Sequence, residues 1–152
     1  MTTRQAILLP LAVFVTLLTS TQDSNAKLPR CQQTRTVAYK ALPLAIRNVP
    51  KTRPNGWFGK DDLWVILPKG SWARADSNGT YGLKMGWYRL SKGQMHLRAE
   101  LVDGSKVASP HVPGGYPETG WQATGLDFPS VGCWRVTGSL GNTQVAFVIA
   151  IG

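Results

Sequence analysis

The chain has 152 residues with 17 Lys+Arg against 8 Asp+Glu, a formal balance of +9. That length suits one domain, and 43% hydrophobic residues with 16 Gly and 10 Pro exclude a disordered chain, a coiled coil and collagen. Two Cys and two His are too few for a cysteine-rich zinc site or a dense disulfide scaffold.

Arg4 precedes an apolar stretch over residues 6–18, interrupted only by Pro10 and Thr16 and too short to span a bilayer. Ser24-Asn25-Ala26 then places small residues at the two positions a signal peptidase reads. The reading is a signal peptide over residues 1–26, a mature chain from Lys27 without a transmembrane span, and an exported protein: periplasmic, cell-surface or secreted. The alternative is an uncleaved anchor or a buried N-terminal helix. Leu28-Pro29-Arg30-Cys31 puts Pro and Arg where a lipidation signal needs small residues, which argues against a lipid on Cys31. In an oxidising compartment two cysteines in a small domain favour a bridge, here Cys31 to Cys133. Closing a loop of about a hundred residues removes ~4.7 kcal/mol of unfolded-chain entropy on the loop-closure model. Two unpaired buried thiols are the alternative.

Charge is concentrated at the start of the mature chain. Lys27, Arg30, Arg35, Lys40, Arg47, Lys51, Arg53 and Lys60 meet no acid over residues 27–60, whereas eight basic residues face seven acids thereafter. Pro29, Pro43, Pro50 and Pro54 oppose regular helix. Residues 27–56 therefore read as a basic extended arm, with one edge strand over residues 37–46. Such an arm is either a solvated face or a binder of polyanions such as anionic lipid or acidic envelope polysaccharide. Export sets specific nucleic-acid recognition aside.

Strand signals fill residues 57–152. Leu63-Trp64-Val65-Ile66-Leu67 is a continuous apolar run closed by Pro68-Lys69-Gly70, as in a buried strand before a turn. Residues 84–90 form another candidate. Met95, Leu97, Ala99 and Leu101 alternate with Gln94, His96, Arg98 and Glu100, the pattern of a half-buried antiparallel strand. Residues 131–140 and 143–151 flank Gly141-Asn142, a hairpin signal that sends Val145, Phe147, Ile149 and Ile151 to the core. Alternation also places Trp134 and Val136 opposite Cys133, Arg135 and Thr137. No helical period emerges, so the fold class is all-β: an immunoglobulin-like antiparallel β-sandwich behind a signal peptide and a basic arm.

The run Gly125-Leu126-Asp127-Phe128-Pro129-Ser130-Val131-Gly132-Cys133-Trp134-Arg135-Val136-Thr137-Gly138, with Gly115-Tyr116 and Thr119-Gly120-Trp121-Gln122 upstream, resembles a family of uncharacterised exported bacterial proteins. Leu63-Trp64-Val65 and Trp87 fit it more loosely. The resemblance covers residues 57–152 and implies an immunoglobulin-like sandwich outside a membrane, with no reaction attached. Arg135 departs from it, standing where an acid is expected after Cys-Trp. The usual immunoglobulin order of Cys, Trp, Cys is missing.

Catalytic signatures are absent: no H-E-x-x-H, G-x-S-x-G, Walker loop or C-x-x-C occurs. His96 is expected on a solvent face, His111 in a Pro-Gly loop, and Asp61-Asp62 in a solvated turn. No metal site, cofactor or catalytic set is assigned. Six tryptophans are available for a small core, and the two least suited to it are Trp57, beside Gly56 and Phe58, and Trp121, in a loop read over residues 115–125; the alternative is that these two cap the end of the sandwich. The candidate binding residues are thus Arg47, Lys51, Arg53, Trp57, Lys60 and Trp121, aromatics beside cations that suit sugars or polyanions. The resulting reading is a non-enzymatic binding or adaptor module of the bacterial envelope, with a polyanion or protein partner. The alternatives are a small secreted hydrolase drawing on His111, Asp61 and Asp62, or an inhibitor of an exported enzyme.

Overall fold

A computed structural model describes residues 31–49, 56–68 and 74–152 of the chain. The segment 1–26 expected to be a signal peptide lies outside them, as do Lys51, Arg53 and Trp72. Nine strands follow in order: β1 (Trp57–Lys60), β2 (Leu63–Ile66), β3 (Arg74–Ala75), β4 (Tyr81–Arg89), β5 (Met95–Leu101), β6 (Ser109–His111), β7 (Gly120–Phe128), β8 (Gly132–Leu140) and β9 (Thr143–Ile151). They form two antiparallel sheets, one ordered β1-β2-β4-β7-β6 with β3 on β4, the other β5-β8-β9. Packed face to face, these make the expected β-sandwich. No helix among the described residues is long and apolar enough to cross a membrane.

Alternation decides the core. Val145, Phe147, Ile149 and Ile151 are buried from β9, and Met95, Leu97 and Ala99 from β5. The hairpin reverses at Gly141-Asn142 with Leu140 opposite Thr143. Trp134 and Val136 are fully buried while Arg135 is exposed, and Cys133 sits on the opposite face of β8 from Trp134. Trp87 crosses from the larger sheet to Phe147, their ring centroids 5.9 Å apart. Its indole covers Gly138 of β8, where a Cβ would overlap the ring. Phe128 meets Trp134 edge to face at 5.0 Å.

Three expectations are corrected. The first is the edge strand over residues 37–46: those residues hold a 3-10 turn, Tyr39–Ala41, and a one-turn helix, α1 (Leu44–Arg47), begun at Pro43. Pro fits a helix start because it lacks the N–H that would be orphaned there. The arm also carries more apolar anchorage than its composition implies, since Leu42 and Ile46, four apart, face the same way. With Trp57 and Trp64 they form a second small core, flanked by Val37, Ile66, Tyr88 and Leu90. This explains why β2 is apolar on both faces: Leu63 and Val65 face the main core while Trp64 faces the arm.

The second correction is β7, whose first residues were expected in a loop. Gln122 and Thr124 there point inward, with Thr124 accepting the Trp87 Nε1–H at 3.1 Å. The third is His111, which ends a short strand rather than lying in a loop.

Candidate functional site

Of the predicted binding residues, the four that the structure describes, Arg47, Trp57, Lys60 and Trp121, do not form one cluster. Trp57 is only 1% exposed, so it is not available for stacking; Leu42 and Ile46 cover it. Arg47 closes α1, half-buried, while Lys60 is exposed where β1 turns into Asp61-Asp62. Trp121 is 43% exposed on β7, separated from β1 by β2 and β4. Register nonetheless links these strands in one row across the outer face of the larger sheet: Gly59 opposite Trp64, Trp64 opposite Tyr88, Tyr88 opposite Trp121. The aromatic row starts under the arm and emerges into solvent at Trp121. Its benzo ring fills the space above Gly86, where a side chain would collide with it.

Among the described residues the ion pairs are Lys92 with Glu118 and Arg98 with Glu100, each at 2.6 Å. Arg35, Lys40 and Lys60 are exposed and take part in neither.

A second candidate lies at the end of the sandwich where β4 leaves and β5 and β7 enter. A cleft of about 220 Å³ is lined there by Arg89, Gln94, Met95, Val112, Tyr116 and Gln122, with Gly93 and residues 113–115 completing the rim. Arg89 extends the inward row Leu83, Met85, Trp87, which places a guanidinium at a core position, 5% exposed. It donates to the carbonyls of Gly93, at 3.4 Å, and Pro117, while its Nε meets no protein acceptor. Gln122, also 5% exposed, donates from Nε2 to the Pro113 carbonyl at 3.2 Å and leaves Oε1 without a protein donor. Sequence reading missed both residues. The signal was present for Arg89, two residues beyond Trp87 on the same face; for Gln122 it was masked because a polar residue suggests the outer face.

The first described residues of the basic segment meet the smaller sheet. Thr34 N–H donates to the Val148 carbonyl at 3.0 Å, and Val148 N–H donates to Thr34 Oγ1 at 2.9 Å. Val37 N–H donates to the Trp57 carbonyl at 2.7 Å. Cys31 and Cys133 are present as thiols, and their side chains meet in a hydrogen bond beside the Ile149 carbonyl. Burial, then the hydrogen bond and charge of Cys133, push the Cys31 thiol up to about 12.

His111 and the Asp61-Asp62 turn lie on opposite edges of the larger sheet, at β6 and at the β1–β2 connection. The hydrolase set drawn from them is therefore not assembled. No group of three or more potential metal ligands occurs among the described residues. No protein-family model, curated protein or solved structure matches the chain.

Proposed function

We propose that the protein is an exported, non-enzymatic binding module of the bacterial envelope, an immunoglobulin-like sandwich that captures an anionic envelope polymer on its basic N-terminal segment. The observation that carries this reading is how that segment is held. Leu42 and Ile46 turn inward onto Trp57 and Trp64, while Arg35, Lys40 and the neighbouring Lys60 stay exposed and outside the ion pairs of the described residues. Cations on a docked segment are preorganised, so a polyanion binds them without the ordering cost of a free tail. Trp121, one strand beyond Tyr88 in the aromatic row, adds an exposed ring for stacking on sugar.

The test is salt-dependent binding of the mature chain to alginate and to vesicles of phosphatidylglycerol in phosphatidylcholine. Each Lys or Arg near an anionic surface is worth ~1 kcal/mol, so Arg35→Gln, Lys40→Gln and Lys60→Gln should weaken binding stepwise without moving the melting temperature. Added salt should weaken it further. Unchanged binding by the triple variant would overturn the reading.

A further inference from the structure

We infer that the cleft at Arg89 and Gln122 is a binding site for a small monocarboxylate that carries a hydrogen-bond donor beside its carboxyl group, such as a 2-hydroxy acid. Three observations lead there. Arg89 is a nearly fully buried cation with no carboxylate partner among the described residues. A charge in that position is costly unless it is paired, and its two carbonyl acceptors carry only partial charge. Lys92 and Glu118 nearby pair with each other, so Glu118 does not serve Arg89.

The second observation is the complementary atom. Arg89 Nε offers a donor and Gln122 Oε1 an acceptor, both buried and both without a protein partner, on side chains lining the same cleft. A carboxylate accepts from the guanidinium, and a hydroxyl or amine next to it donates to Gln122. Inorganic phosphate fits less well, because it brings up to two charges to a single guanidinium.

The third observation is size and access. At about 220 Å³ the cleft is smaller than the roughly 300–1,000 Å³ pockets that hold drug-sized ligands. Its rim is formed by Gly114 and Gly115, beside which a Cβ would find nothing within 4 Å, so the mouth is open. This site is independent of the basic segment, and its failure would leave the polyanion reading intact.

The experiment is titration of the mature chain with lactate, alanine, acetate and inorganic phosphate at constant ionic strength, followed by calorimetry and melting temperature. Lactate should bind and raise the melting temperature, and acetate, lacking the donor, should bind more weakly. Arg89→Lys, which keeps the charge but loses the planar fork, should weaken lactate at least tenfold. Gln122→Glu places a carboxylate of the protein's own in the same cleft as Arg89, so the folded variant should be thermally stabilised and lose its response to lactate. No response of the wild-type chain, an undiminished response in folded Gln122→Glu, or stronger binding of phosphate than of lactate would each overturn the assignment.

Discussion

Trp87 and Gly138 meet across the two sheets, the indole of one standing where a side chain of the other would be. Trp87 is fully buried and tied by its N–H to Thr124, so it has no room to retreat. Gly138→Ala should therefore cost ~1–3 kcal/mol by overpacking, read as a lower denaturant midpoint at unchanged slope.

Gly86→Ala makes the same change beneath a different tryptophan. Trp121 also overlaps the added methyl, but it is an exposed side chain free to swing outward. The cost should fall within the ~0.5 kcal/mol typical of surface substitutions, and quenching of Trp121 fluorescence by iodide should rise. Equal destabilisation by the two alanines would show that Trp121 is as fixed as Trp87.

Ile46 is fully buried in the small core between α1 and the outer face of the larger sheet. Ile46→Ala should cost ~2–5 kcal/mol, as core truncations do, and the protein should still unfold in one transition. An early separate transition confined to residues 31–49 would instead show that the segment melts independently.

The Cys31 thiol, pushed up to about 12 mainly by burial, gives the reduced protein a pH signature. Its folded pKa lies above the ordinary thiol range, so the native state holds its proton where the unfolded chain has lost it. That contribution to stability is complete below the ordinary thiol pKa and disappears as pH rises through about 12. Reduced wild-type protein should lose stability over this interval faster than Cys31→Ser in denaturant titrations.

The meeting of the two thiols also suits a bridge in an oxidising compartment. Protein recovered from an envelope fraction should gain two hydrogens on reduction, about two daltons, and begin at Lys27. Thiols that react fully with alkylating reagent before reduction would refute the bridge.

Period-two patterns made much of the sandwich legible, because β5, β8 and β9 each bury one face and leave the other wet. The start of β7 read as a loop instead, since its inward positions are the polar Gln122 and Thr124, whose partners Pro113 and Trp87 come from other parts of the fold. Trp57 was misread for a related reason. Its neighbours Gly56 and Phe58 say nothing of Leu42 and Ile46, which bury it from the arm. That Cys31 and Cys133 could meet was accessible by count alone, whereas the Arg89 cleft needed the register of β4 against β7.

Thr34 occupies Val148 through both its N–H and its hydroxyl, and three residues later Val37 takes the Trp57 carbonyl. β9 and β1 are outer strands of the two sheets, so one short stretch of chain engages both. An uncovered strand edge is a template on which another copy of the chain can add. The segment occupies part of each edge, and a chain lacking it should present two templates at once. Arg35 lies exposed between the two contacts, a charge standing on the covered edge of the kind that discourages strand addition.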